Sequence, residues 1–459
     1  MTVEQIYTDC LAQGAYYICS DGEAAIIDPL RDTAAYLERA ESDGARITYI
    51  FETHFHADFV SGHLELAQST TAPIVYGPNA APTFAFRSAH DGETFRIGKV
   101  SLTAIHTPGH TLESTCYLLR DENEKPYCIF TGDTLFIGDV GRPDLAQQSD
   151  LTANDLASML YTSLREKIMP LPDDVIVYPA HGAGSACGKN ISKETFATIG
   201  NQKAFNYALQ PQTREAFVAE LVTGLDAPPP YFPENVRLNR EGYAPLAEVL
   251  TRAAVPLSPK DFLATARATK ALLLDVRSQH EFVARHVADS IFIGLDGSFA
   301  PWVGALVTNL RQPILLIAPV GREAEAATRL ARVGYDNTIG YLEGGVAAWA
   351  EADFETDHIR QIKSTDFLAL PPATATIVDV RKASEYNTAH LPYASNLPLH
   401  RITNWASAVS ILDRSARPVY LHCAGGYRSV IAASILKARG IHHIVNIEGG
   451  WDALTQVVA

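Results

Sequence analysis

The chain lacks the marks of several protein classes. Its six cysteines, at 10, 19, 116, 128, 187 and 423, include no CxxC pair and no framework spacing. That excludes a disulfide-stapled design and reads as reduced thiols in a cytoplasmic protein. No apolar run comes near the roughly eighteen residues a membrane helix needs, so no membrane partner is expected. The first ten residues, MTVEQIYTDC, are polar and acidic where a signal peptide is basic and then apolar, so none is expected. Basic clusters are missing as well. With 37 Lys+Arg against 52 Asp+Glu, the formal charge is −15, which argues against nucleic acid or an anionic surface as partner.

What is present is a globular composition, 47% apolar and 19% charged. At 459 residues the chain is too long for one ordinary core and suggests about three domains. The first 200-odd residues alternate short apolar strands with helical segments. Expected strands are 16–19, 24–28, 47–51, 101–106, 127–131 and 175–178. A helix is expected over 33–42, stopped by Gly44. The run DAPPPYFP at 226–233 breaks this pattern, because consecutive prolines preclude helix and favour an extended spacer.

The remainder repeats itself. LLLDVRSQHEF (272–282) recurs as TIVDVRKASEY (376–386), PILLIAP (313–319) as PVYLHCA (418–424), and LEGGVAAW (342–349) as IEGGWDAL (447–454). The offset stays at 104 to 105 residues, so the segment is a duplication. Each copy alternates buried strand and helix, the pattern of a small parallel α/β domain.

Two constellations carry chemistry. After the 47–51 strand come Thr53-His54-Phe55-His56-Ala57-Asp58-Phe59, and further donors follow at comparable strand ends: His110 in HTPGHT, Asp133 in TGDT and His181 in PAHG. Alternating His-x-His-x-Asp on a turn can aim several donors at one point, as a catalytic metal requires. In the last copy, Cys423-Ala-Gly425-Gly426-Tyr-Arg428 lies between an apolar strand and a helical run over 430–437. Backbone N–H groups of such a turn, with Arg428, favour a thiolate or a terminal persulfide.

These residues resemble known families. Residues 1–225 resemble the metallo-β-lactamase superfamily, in the branch of glyoxalase II and the persulfide dioxygenases. The full superfamily motif is HxHxDH; here Phe59 stands at the last His and cannot ligate a second metal. The resemblance therefore implies one mononuclear Fe(II) on His54, His110 and Asp133. It places His56, Asp58 and His181 just outside the metal and Arg142 near the thiol substrate. Arg142 could instead pair with Asp144. Cys187, on a Gly-rich loop, could receive sulfur near the metal or be an inert buried thiol. The last copy resembles the rhodanese family, with Cys423 as sulfur carrier, Arg428 beside it, and Gly425 and Gly426 in the cradle. In the first copy Ala318 takes the cysteine's place, so that copy is expected to be inactive and to serve as scaffold.

The domain order resembles bacterial persulfide dioxygenase–sulfurtransferase fusions. The implied architecture is multidomain α/β: an αββα metallo-β-lactamase sandwich with C-terminal helices and linker over 1–245, an inactive rhodanese-like domain over 257–355 and an active one over 362–459. The implied activity is oxidation of a thiol persulfide (glutathione, CoA or similar) by O₂ to sulfite, coupled to sulfur transfer to or from thiosulfate, as in sulfide detoxification. Rival readings are a glyoxalase II-like zinc thioester hydrolase fused to a rhodanese, or a sulfur carrier or sensor with a structural metal. A homo-oligomer is expected by analogy alone.

Overall fold

The structure, a computed structural model, describes residues 1–145, 151–371, 376–404 and 417–458. Of the expected third domain, 372–375, 405–416 and residue 459 lie outside the described residues. The chain forms two compact units. One comprises Met1–Leu246 with Ala331–Gly334, the other Ala247–Leu330 with Tyr335–Ala459.

Among the described residues, the first unit holds two six-stranded sheets. One runs in sequence order through Thr2–Thr8, Gln13–Ser20, Glu23–Ile27, Arg46–Phe51, Ile74–Tyr76 and Arg87–Ser88. The other is ordered Ala197–Thr198, Ile176–Pro179, Pro126–Gly132, Thr115–Arg120, Val100–His106, Thr94–Ile97. Successive side chains on a strand point to opposite faces, and both faces are covered here. Tyr16, Ile18, Ala25 and Ile27 pack with Leu102, Tyr117 and Phe130 of the other sheet. Their neighbours Ala15, Tyr17, Ala24 and Ile26 pack instead on Tyr36 and Leu66 of helices Ala34–Ser42 and His63–Thr70. The second sheet repeats this, with Leu118 and Ile129 against Leu160 of helix Ala153–Ser163. Helix, sheet, sheet, helix is the expected αββα sandwich.

The six expected strands are present, each longer or displaced by a residue or two. Thr2–Thr8, Ile74–Tyr76, Thr94–Ile97 and Thr115–Arg120 were not anticipated. The reading of 226–233 as spacer needs correction. Helix Phe232–Glu241 begins inside that run, with Pro233 in its first turn, where a missing N–H costs nothing. Its residues belong to the first unit, not to a free tether.

Among the described residues, the second unit includes two five-stranded parallel sheets of the same order. The first is Pro256–Leu257, Thr338–Leu342, Ile314–Ile317, Leu272–Asp275, Ile291–Phe292. The second is Arg360–Ile362, Ile444–Ile447, Val419–His422, Thr376–Asp379, Ser395–Asn396. Matching strand order at matching sequence positions is what a duplicated domain produces. All six cysteines are unpaired thiols. Among the described residues no helix is long and apolar enough to cross a membrane.

Candidate metal centre and thiol loop

The donors of the first constellation converge because each ends a strand of one of the two packed sheets. His54 follows Arg46–Phe51, His110 follows Val100–His106, Asp133 follows Pro126–Gly132 and His181 follows Ile176–Pro179. Close approach is built in at Gly132. Its φ is +52°, and a Cβ there would lie 2.5 Å from Thr53 Oγ1, so only glycine lets the two loops meet.

His54, His110 and Asp133 are buried, and one donor atom of each lies within 4.8 Å of the others. Asp133 Oδ2 is 3.4 Å from His110 Nε2 and 3.8 Å from His54 Nε2. The far ring nitrogens are committed. His110 Nδ1–H donates to the Arg142 carbonyl at 2.8 Å, and His54 Nδ1–H donates to Thr53 Oγ1 at 3.0 Å. Thr53 in turn donates its hydroxyl and its N–H to the Asp28 carboxylate, both at 2.8 Å. Those contacts leave both Nε2 lone pairs facing Asp133, the arrangement a metal-ligating imidazole needs. Burial, and then the nearby His56, His110 and His181, hold His54 far below its ordinary pKa, so it stays a neutral donor.

Neither Asp133 oxygen and neither ring nitrogen of His181 finds a hydrogen-bond partner among the described residues. Buried polar atoms left so are costly, and a cation between them removes the cost. The donor set therefore fits a metal ion. His56, Asp58 and His181 form a second buried triad beside it. Asp133 joins the two through its other oxygen, 3.5 Å from His181 Nε2.

His56 is held from behind. Its Nε2 is 3.0 Å from Asp28 Oδ1 and 3.5 Å from Glu52 Oε2. Burial pulls its pKa down, but the Asp28 and Glu52 carboxylates outweigh it and place it at about 9. Phe59 is fully buried, its ring centroid 4.3 Å from that of His56. An apolar ring thus fills the space beside the second triad. Asp28, Glu52 and Thr53 were not singled out from sequence. The available signal was an acid closing the 24–28 strand and another just before the histidine run.

One expected substrate contact is placed differently. Arg142 is buried, and its guanidinium grips Asp144 through Nε at 2.8 Å and Nη2 at 2.7 Å. It also donates to the carbonyls of Asp226 and Ala186. The alternative of an Asp144 salt bridge is the observed one, and Arg142 reaches the centre through its backbone carbonyl on His110. Cys187 is buried with its sulfur grouped with Asp133 and His181. Burial, then Asp58 and Asp133, push its thiol pKa well up, so it faces the centre as a neutral thiol. A cavity of about 450 Å³ opens onto His110, with Phe55, Leu145, Pro228, Val236 and Arg240 in its walls. The proline segment is therefore part of a pocket.

In the second unit, Cys423 follows strand Val419–His422 and precedes helix Tyr427–Ala438. Its sulfur is buried and accepts the Gly426 N–H at 3.1 Å and the Ser429 hydroxyl at 3.7 Å. Gly426 has φ +101°, which turns that N–H inward. Gly450, at φ +57°, lets the following loop press on this one, since a Cβ there would lie 2.4 Å from the Cys423 carbonyl oxygen. Arg428 forms a two-pronged pair with Glu385 at 2.7 and 2.8 Å. Donation to the Glu385 carboxylate, with Cys423 nearby, raises the Arg428 pKa above its ordinary value. In the first copy Ala318 follows strand Ile314–Ile317 at the same place, without a thiol.

Comparison with known proteins matches this division. The family model for the metallo-beta-lactamase superfamily matches residues 8–181, and that for the rhodanese-like domain matches 258–352 and 365–456. A hydroxyacylglutathione hydrolase of Polaromonas sp. is 35% identical over 187 residues, covering 39% of this chain and 66% of that protein. The human mitochondrial persulfide dioxygenase ETHE1 is 33% identical over 160 residues, covering 35% of this chain and 59% of that protein. The chain thus spans less than two thirds of either relative. A crystal structure of a metallo-beta-lactamase from Staphylococcus aureus subsp. aureus COL superposes with a TM-score of 0.65 at 31% identity, over 74% of this chain and 98% of that one.

Proposed function

The chain belongs to the metallo-β-lactamase superfamily and carries two rhodanese-like domains, and from that premise we propose that it is a persulfide dioxygenase–sulfurtransferase. The observation that carries this reading is Phe59. It packs where the superfamily motif has a metal-binding histidine, beside a buried His54–His110–Asp133 triad whose Nε2 and carboxylate atoms face one another. One carboxylate and two imidazoles leave coordination positions free, which suits a substrate sulfur and O₂ together. Bound there, a single Fe(II) would supply the redox change that O₂ chemistry needs and zinc lacks.

The chain's own residues do the rest. Thr53 and the Arg142 carbonyl fix the two imidazoles in the ligating tautomer. The cavity beside His110 takes the low-molecular-weight thiol carrier, its largely apolar walls keeping bulk water from the persulfide. The net change is RSSH + O₂ + H₂O → RSH + HSO₃⁻ + H⁺. Cys423, cradled by Gly426 and Ser429, exchanges a sulfane sulfur with sulfite or thiosulfate, so one site's product serves the other.

Anaerobic purification with metal analysis, followed by O₂ uptake on glutathione persulfide and CoA persulfide, tests the proposal. One iron per chain and iron-dependent O₂ uptake are expected. Hydrolysis of S-lactoylglutathione by a zinc form, without O₂ uptake, would establish the hydrolase reading that the Polaromonas relative raises.

A further inference from the structure

The copy without a thiol holds the end of the other copy's thiol loop, where the following helix begins. Helix Tyr427–Ala438 packs on strand Ile291–Phe292 of the first copy. Ser434 Oγ accepts the Phe292 N–H at 3.0 Å, and the Tyr427 hydroxyl donates to the Gly294 carbonyl at 2.9 Å. A Cβ on Gly297 would lie 2.4 Å from Tyr427 Cζ, so the first copy has a glycine where the tyrosine ring needs the space. Gln279, at the first turn of helix Gln279–Ala284, reaches the loop itself. Its Nε2 lies 3.0 Å from where a Gly426 Cβ would be, and Gly426 is the residue whose N–H meets the Cys423 sulfur.

The charges around that loop pose a problem for an anionic partner. Arg428 is neutralised by Glu385, and the loop N–H of Gly426 points inward to the sulfur. On the exposed rim, the nearest group to a Gly425 Cβ is an Asp452 carboxylate oxygen, at 3.8 Å. A neutral N–H donor on the rim can hold an oxyanion without adding a charge that would pair with Asp452. The duplication provides an internal comparison. The position equivalent to Gln279 in the second copy is Ala383, so the amide is present only in the copy that faces a thiol.

We propose that the thiol-less copy completes the acceptor side of the sulfur-transfer site, with the Gln279 amide donating to an oxygen of the small sulfur oxyanion, sulfite or thiosulfate. This rests on the reading of Cys423 as sulfur carrier. The sulfite sulfur lone pair attacks the outer sulfur of the Cys423 persulfide anion. The S–S bond breaks with its electron pair left on Cys423 Sγ, giving the thiolate and thiosulfate. The reverse reaction loads Cys423 from thiosulfate. Neither direction needs an oxidant or reductant.

The test is steady-state transfer of sulfur from thiosulfate to cyanide by the full chain and its Gln279→Ala and Gln279→Glu variants. Loss of one hydrogen bond to an anion should raise the KM for thiosulfate about tenfold in Gln279→Ala, with kcat nearly unchanged. Gln279→Glu should raise KM further, because it adds like charge. Unchanged KM in both variants would overturn this proposal alone, as would a fall in kcat at constant KM, which marks loop support rather than anion binding. No thiocyanate from the unaltered chain would overturn both it and the sulfur-carrier reading.

Discussion

Thr53 Oγ1 stands between His54 Nδ1, 3.0 Å away, and the Asp28 carboxylate, 2.8 Å away. The hydroxyl donates to Asp28 and accepts from the imidazole, so a buried acid two elements back in the chain sets the tautomer of a candidate metal ligand. Such outer contacts orient the ring and raise its basicity. Asp28 itself sits at φ +50°, a backbone conformation that Asn shares readily.

Asp28→Asn therefore keeps the shape and removes the charge. Metal affinity should fall by about 10–100-fold, measured by competition with a chromophoric chelator. Affinity equal to that of the unaltered chain would show that the Thr53 contact does not reach the metal.

Arg142 supports a second prediction, opposite to the one its motif invites. Its guanidinium is spent on Asp144, Asp226 and Ala186, while its carbonyl fixes His110. Arg142→Lys cannot reproduce the two-pronged grip on Asp144. Metal should be lost more readily, whereas the KM for persulfide, measured with metal restored, should stay where it was. A raised KM at full metal loading would return Arg142 to the substrate.

This contrast shows what sequence could and could not reveal. Strands such as Pro126–Gly132 and Val419–His422 were legible because both faces are buried and the runs read as apolar. Thr2–Thr8 was not, since all but its first residue are half-buried and polar residues interrupt it. The helix starting at Phe232 was hidden by prolines, which local rules read as breakers although the first helical turn tolerates them. The candidate ligands stood out by residue type at strand ends. Their supports were not: Asp28 acts on His54 across some two dozen residues of sequence, and Gln279 meets the thiol loop across more than a hundred, and pairing at that range leaves no local pattern.

Separate chemistry at the two sites gives a third prediction. Cys423→Ser removes the proposed sulfur carrier from a loop that has no part in the His54–His110–Asp133 cluster. O₂ uptake on a thiol persulfide should persist and thiosulfate should disappear, followed by ion chromatography of the products. Thiosulfate at the unaltered yield would refute the role given to Cys423.

A matched pair of histidines yields a pH prediction. His286 lies stacked on Phe282, ring centroids 3.9 Å apart, with Nδ1–H donating to the Phe282 carbonyl at 2.7 Å. His390 makes the same contacts with Tyr386 in the second copy, but is exposed. Burial, only partly offset by the Phe282 carbonyl and Asp357, lowers the His286 pKa from 6.5 to about 4. A depressed histidine is neutral in the folded state, so its contribution is complete above the unfolded value of about 6.5. Acid removes it as pH falls from about 6.5 through 4, a loss on the order of 2–3 kcal/mol. His286→Gln should flatten the thermal stability of the second unit over that window, and His390→Gln should not. Equal acid sensitivity in the unaltered chain and His286→Gln would assign the effect elsewhere.

Phe59 allows the most direct chemical reversal. His56, Asp58 and His181 already lie within 4.8 Å of one another through their donor atoms, and Asp133 connects them to the first triad. What that second group lacks is a fourth donor, in a space filled by a ring 4.3 Å from His56. Phe59→His puts an imidazole there, and four donors close a tetrahedral site. Zinc titration of the apoprotein should then saturate at two equivalents per chain, against one for the unaltered protein. Burying a histidine in place of phenylalanine is unfavourable until the ion arrives, so the variant's melting temperature should rise more on zinc addition than the parent's does. Saturation at one equivalent, with no larger thermal shift, would mean that Phe59 is not what bars a second ion from that triad. The hold of Asp28 and Glu52 on His56 would then be the barrier, and the Asp28→Asn, Phe59→His double variant would be the one to recover the second equivalent.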